Sequence, residues 1–86
     1  MPHYDVAAYC EQVSSAGGGS AMIYNSCVEM EQEAYDRRKA SWSALSARAQ
    51  SYCDEVARAG GASYSILDSC LDMETEAQQS VPEFKY

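Results

Sequence analysis

The 86-residue sequence lacks a long apolar run, an excess of positive charge and a second histidine. No stretch approaches the roughly 20 consecutive apolar residues that a membrane-spanning helix needs, so we expect no membrane span. Thirteen acidic residues against six basic ones give a formal net charge of −7. This balance argues against nucleic acid and anionic membrane surfaces as partners, and it favours solubility or a cationic partner.

Motifs of catalysis and metal binding are also scarce. A serine–histidine pair would depend on His3, which lies at the end of the chain. The sequence contains no CxxC pair for zinc, no Walker lysine after its glycines and no DxDxDG loop for calcium. We therefore expect neither enzymatic activity nor a cofactor.

What the sequence does contain is one pattern written twice, at an offset of 43 positions. The matching segments are YCEQV and YCDEV, AGGGS and AGGAS, and SCVEME and SCLDME. We interpret this correspondence as a duplication within a single domain, residues 1–86, with one repeat at about 4–40 and the other at about 43–82. A chain of this length buries little apolar surface, so we expect covalent reinforcement of its core.

Apolar residues recur at helical spacing on both sides of each glycine-rich turn, which predicts two helices per repeat. The predicted apolar stripes are Val6, Cys10, Val13 and Gly17; Ile23, Cys27, Met30 and Ala34; Leu45, Ala49, Tyr52, Cys53 and Val56; and Ile66, Cys70, Met73 and Ala77. Glycine is favoured after a helix and serine before one. The predicted caps and turns are therefore Gly17, Gly18, Ser20, Gly60, Gly61 and Ser63.

Four cysteines allow three disulfide connectivities. The two cysteines of each repeat lie equally far from the middle of their turn, and such positions face each other in an antiparallel hairpin. The sequence therefore predicts Cys10–Cys27 and Cys53–Cys70, each worth roughly 3 kcal/mol by chain entropy. Stable disulfides indicate an oxidising compartment. We predict a periplasmic or secreted protein, and we expect a mature chain without its signal peptide.

The connection between the repeats leaves two architectures open. Residues 20–59 include no glycine or proline, so the second and third helices can form one rod. The polar run at 36–39 and the serines around Trp42 favour a break, with Ser41 or Ser43 as the new N-cap. We predict an all-α, monomeric four-helix bundle of two hairpins with Trp42 packed between them. The alternative is three helices with a long central one, which favours a homodimer.

Two metal sites are alternatives to purely structural cysteines. Cys27 and Met30 lie one helical turn apart, as do Cys70 and Met73, and reduced thiolate with thioether suits Cu(I). Carboxylates spaced i, i+4 on the same helices can hold a harder cation. Against both, methionine is ordinary core filler and acidic residues are ordinary helix surface.

Acidic and aromatic residues near the stripes are the remaining candidates. Glu31 and Glu74 lie beside the apolar stripes, and we expect them to hydrogen-bond across the hairpin rather than to act in catalysis. Tyr9, Tyr52 and Trp42 are predicted core or interface residues, because such side chains cover apolar area while keeping a polar tip.

The repeated pattern resembles small exported helical proteins of proteobacteria. Their motif of Tyr-Cys, Gly-Gly-Ser, and Cys followed by Glu and Ala corresponds here to Tyr9-Cys10, Gly18-Gly19-Ser20, Cys27, Glu31 and Ala34, and again to Tyr52-Cys53, Gly60-Gly61, Ser63, Cys70, Glu74 and Ala77. The resemblance implies a scaffold and brings no established activity. Mitochondrial twin-cysteine hairpins are similar in outline, but they have two cysteines per helix where this chain has one.

These observations predict a small exported, non-enzymatic binding or structural module with an unknown protein partner. The alternative prediction is a periplasmic metal-binding protein that uses cysteine and methionine or carboxylate ligands.

Overall fold

The computed structural model describes all 86 residues, and it is helical except at the turns and the two ends. Helix α1 spans Val6–Ala16, α2 spans Ala21–Ser41, α3 spans Ala47–Ala59 and α4 spans Tyr64–Gln79. Helices α1 and α2 form the first hairpin, and α3 and α4 form the second. The predicted all-α fold of two packed hairpins is confirmed. None of the four helices combines the length and the apolar character needed to cross a bilayer.

Each hairpin is closed by the predicted disulfide. The Cα atoms of Cys10 and Cys27 lie 5.6 Å apart, and those of Cys53 and Cys70 lie 5.5 Å apart. Both distances lie in the usual range for disulfide-bonded cysteines. No cysteine is left free.

The turn between the helices has the same hydrogen bonding in both hairpins. After α1, the Gly19 amide donates to the Ser14 carbonyl at 2.7 Å, and after α3 the Ala62 amide donates to the Ala57 carbonyl at 2.8 Å. This is the Schellman arrangement, in which the residue after the C-cap adopts the left-handed conformation. Gly18 and Gly61 occupy that position, with φ of +89° and +105°.

A serine side chain caps the second helix of each hairpin. The hydroxyl of Ser20 accepts from the Ile23 amide at 3.4 Å, and that of Ser63 accepts from the Ile66 amide at 3.3 Å. The C-caps of α1 and α3 are Gly17 and Gly60, where an added Cβ would lie 2.5 Å from an isoleucine methyl group. These glycines therefore permit the close approach of the two helices.

The chain breaks between α2 and α3, so the alternative of one central rod is excluded. A single 3₁₀ turn spans Trp42–Ala44, and Leu45 is extended. Ser46 caps α3 by accepting from the Ala49 amide at 3.1 Å. The prediction that Ser41 or Ser43 would be the cap is wrong, because the 3₁₀ turn moves the start of α3 further along the chain.

Trp42 lies in this break without filling the centre of the core. Its side chain is half-buried at the edge of the core. The hydrogen bonds between α2 and α4 end at Arg38, one turn before Trp42. Leu67 and Leu71 of α4, both fully buried, form the centre instead.

The methionines are the clearest departure from the predicted stripes. Met30 and Met73 were expected to face the core, but they are 61% and 64% exposed. Helix α2 must contact α1 on one side and α4 on the other, and α4 must contact both α2 and α3. The buried faces are therefore rotated toward Glu31 on α2 and toward Leu67 and Leu71 on α4.

Candidate binding surfaces around a buried carboxylate

The two hairpins are joined by a carboxylate, that of Glu31 on α2, which is only 1% exposed. The Tyr64 amide donates to one of its oxygens at 2.7 Å. The Ser63 hydroxyl and the Ser65 amide donate to the other, at 2.8 Å and 3.1 Å. The first amides of a helix have no partner within the helix, and they favour negative charge. Glu31 therefore caps α4 from the other hairpin.

The sequence predicted a hydrogen-bonded Glu31, but within its own hairpin. The actual partner is the start of α4, because α2, with 21 residues against 11 in α1, extends beyond α1 and packs on the second hairpin. Glu74, at the corresponding position of α4, is half-buried, and no hydrogen bond or ion pair involves it.

An ion-pair cluster lies further along the same α2–α4 contact. Asp68 of α4 accepts from Arg37 at 2.6 Å and from Arg38, and Arg38 also pairs with Asp72. Burial of Asp68 opposes its ionisation, but the hydrogen bonds from the two arginines outweigh burial and lower its pKa. The hydrogen bond between Arg37 and Asp68 also raises the pKa of Arg37. The Asp68 carboxylate therefore stays ionised, and its ion pairs hold α4 against α2.

Three tyrosines pack where the N-terminal segment crosses the two hairpins. The rings of Tyr4 and Tyr35 lie 4.5 Å and 5.0 Å from the ring of Tyr64, measured between centroids. The Tyr4 hydroxyl donates to Asp54 at 2.7 Å, and the Tyr64 hydroxyl donates to the Pro2 carbonyl at 2.8 Å. Burial, and then the bond to Asp54, raise the pKa of Tyr4. Sequence reasoning missed this cluster, because Tyr4 belongs to no periodic segment.

One apolar groove lies between α1 and α2 on one side of Glu31, and we call it the Met groove. Its volume is about 390 Å³, and its lining includes Tyr9, Val13, Met22, Ile23 and Met30, with Glu31 and Ser65 at one end. Met22 is the most exposed of these apolar residues, at 79%.

The predicted interface residue Tyr9 lies in this groove and also contacts the second hairpin. A Cβ at Gly61 would lie 3.2 Å from Cδ1 of the Tyr9 ring, so the ring packs against the α3–α4 turn. Its counterpart Tyr52 lines neither groove and is 52% exposed.

A second groove lies on the other side of Glu31, and we call it the tyrosine groove. Its volume is about 410 Å³, and it is lined by the N-terminal segment and the start of α1, by α2 and by Tyr64 of α4. The lining side chains include His3, Tyr4, Val6, Tyr24, Val28 and Tyr35. Glu31, which joins the hairpins, therefore borders both grooves.

The sulfur ligands proposed for Cu(I) are not brought together as thiolates. Cys27 and Cys70 are each oxidised in a disulfide. Met30 lines the Met groove, while Met73 lies on the open surface of α4. No group of three histidine, cysteine, aspartate or glutamate side chains is placed to hold a metal ion.

Comparison with known proteins identifies no family model, curated sequence or solved structure that matches this chain.

Proposed function

We propose that the protein is a small exported, non-enzymatic binding module that holds a basic amphipathic segment of a partner protein in the Met groove. The observation that carries this proposal is the exposure of Met22 and Met30 beside Tyr9 in a concave apolar surface. Exposed apolar patches of this kind mark interaction sites. Methionine adapts to varied partners, and tyrosine is enriched where they bind.

The charge around the groove supports a basic partner. Glu29 and Glu33 are exposed on α2, at helical spacing from Met22 and Ser26 at the groove's edge. The whole chain carries a net charge of −7. An amphipathic helix with an apolar face and lysines at its margins complements both features.

Export is supported by the two disulfides, which account for all four cysteines. Such bonds persist in oxidising compartments and are rare in reducing ones. Trapping of thiols with an alkylating reagent at the moment of cell lysis should leave the protein's mass unchanged. A mass increase from four alkylated thiols would contradict export to an oxidising compartment.

The binding test uses a synthetic leucine–lysine amphipathic helix titrated into the labelled protein by NMR. We expect shifts of Tyr9, Val13 and Ile23 resonances, and weaker binding by about tenfold in Met30→Ser, which corresponds to the loss of about 1.4 kcal/mol. Met73→Ser is the matched control, because Met73 is equally exposed and lies outside the groove. A leucine–glutamate helix should not bind.

Three results would contradict this assignment: no binding of the leucine–lysine helix, equal effects of Met30→Ser and Met73→Ser, or shifts confined to residues outside the groove.

A further inference from the structure

The contact between the hairpins has open counterparts at both ends of the molecule, and we propose that the protein self-associates head to tail, with Glu74 of one copy capping α2 of the next. This goes beyond binding in the Met groove, and of the groove residues it involves only Met22, through its backbone amide. It rests on three contacts within the chain, each compared with its counterpart 43 positions away.

The first contact is the carboxylate cap. Within the chain, Glu31 binds Ser63 and the amides of Tyr64 and Ser65. The corresponding acid is Glu74, which has no partner, and the corresponding serine is Ser20. Ser20 begins α2 with the same cap that Ser63 forms. The first amides of α2 can therefore donate hydrogen bonds to Glu74 of a second copy, as the first amides of α4 donate to Glu31.

The second contact is an aromatic ring against a glycine turn. Tyr9 packs on Gly61 within the chain. The counterpart ring, Tyr52, is 52% exposed, and a Cβ at the counterpart turn, Gly18, would meet nothing within 4 Å. Each pair consists of a tyrosine and a glycine, but Tyr52 and Gly18 do not form this contact within the chain.

The third contact is apolar. Leu67 of α4 and Ala34 of α2 are both buried, and both belong to the one core. Their counterparts are Tyr24, which lines the half-open tyrosine groove, and Ala77, which is exposed. A second copy that repeats the intrachain geometry would place its Ala77 face over this groove.

Because the two surfaces differ, the contact is heterologous and yields an open chain of copies rather than a closed symmetric pair. The ion pairs have no counterpart, since Ser80, Val81 and Asn25 stand where Arg37, Arg38 and Asp68 would be needed. Association between copies is therefore weaker than the intrachain contact. Each copy carries a net charge of −7, so salt should strengthen association by screening repulsion.

The experiment is sedimentation velocity of the oxidised protein, up to about 1 mM protein and in low salt or about 1 M salt. We expect a concentration-dependent series of oligomers, more pronounced in high salt. Glu74→Ala should weaken association at least tenfold. Glu76→Ala, which makes the same charge change on the exposed surface of the same helix, should not weaken it.

A second variant tests the receiving end. Ala21→Pro removes the first amide of α2, and proline is tolerated there because this position needs no intrahelical bond. Ser20 already has the extended conformation that precedes proline (φ −71°, ψ 127°). Ala21→Pro alone should lose the oligomers. An equal mixture of Ala21→Pro and Glu74→Ala should form dimers and nothing larger, because only one junction can form.

A wild-type protein that stays monomeric under all these conditions would overturn the proposal. So would equal losses in Glu74→Ala and Glu76→Ala, a mixture that forms no dimer, or association abolished by deletion of residues 81–86 but not by Glu74→Ala. Met30→Ser should leave association unchanged, so this result and the groove-binding result can fail independently.

Discussion

At the scale of single residues, Glu31 carries the contact between the hairpins. Its three donors all come from the first turn of α4, and its side chain is sealed from solvent. A buried acceptor with several donors is costly to alter, because the donors then lose their partner in a site that water does not reach.

Glu31→Gln tests this contribution with almost no change in volume. Its amide NH₂ would replace one of the two accepting oxygens, so at least one donor of α4 would lose its acceptor, and we expect the free energy of unfolding to fall by about 1–3 kcal/mol. Urea unfolding with the disulfides intact measures the change. Glu74→Gln, made in dilute protein, should alter it by less than about 0.5 kcal/mol. Equal losses in the two variants would show that Glu31 has no special role.

The lowered pKa of Asp68, in the same contact between the hairpins, predicts that the free energy of unfolding depends on pH. Its pKa is lowered in the folded protein, so its ion pairs stabilise the fold above the ordinary aspartate value of about 4. That contribution is lost as the pH falls below this value, because the unfolded protein then takes up a proton more readily than the folded protein does. The free-energy difference between wild type and Asp68→Asn should therefore shrink between about pH 5 and pH 2. A difference that stays constant over this range would contradict the assignment.

At the scale of helices and turns, the two hairpins repeat one local design. The same Schellman turn, serine cap and disulfide spacing occur in both. The surroundings differ, since a Cβ at Gly61 would lie 3.2 Å from the Tyr9 ring, while a Cβ at Gly18 would meet nothing within 4 Å.

Alanine substitutions at the two turn positions separate the cost of backbone strain from the cost of crowding the Tyr9 ring. Gly18→Ala and Gly61→Ala both force a side chain into a positive φ, at a cost of about 1 kcal/mol or more. Gly61→Ala should cost more, because its Cβ would lie 3.2 Å from the Tyr9 ring. In a Tyr9→Ala background the two costs should converge, as judged by thermal unfolding. If the excess persists in that background, Tyr9 is not its cause.

The elements were largely predictable from the sequence, because each depends on neighbours along the chain. Glycine and serine positions locate the turns, and the symmetric spacing of Cys10 and Cys27 about the first turn predicts their disulfide. Contacts between the hairpins were not predictable in this way. Periodicity places Glu31 beside an apolar stripe and predicts a partner within its own hairpin, and it omits Tyr4 because the N-terminal segment has no period. It also places Met30 inside, because the stripe facing α1 cannot reveal that α2 has a second neighbour.

At the scale of the whole molecule, the two hairpins contact each other mainly through one helix each, α2 of the first and α4 of the second. The molecule measures 54 × 29 × 17 Å, with a radius of gyration of 15.1 Å, against about 12 Å for a compact chain of this length. Only 15 of its 86 residues are buried. The disulfides therefore hold each hairpin, while α2 and α4 hold the hairpins to each other. This extended form leaves both grooves and both end surfaces open to partners.

The placement of one hairpin on the other is tested most directly by amide hydrogen exchange in dilute protein. The first amides of a helix normally exchange fast, because they have no intrahelical partner. We predict strong protection of the Tyr64 and Ser65 amides, which Glu31 holds, and fast exchange of the matching Ala21 and Met22 amides. Glu31→Gln should reduce the difference, because one of the two accepting oxygens becomes an NH₂ group. Equally fast exchange of all four amides in the wild type would contradict the account, because it would mean that Glu31 does not join the hairpins.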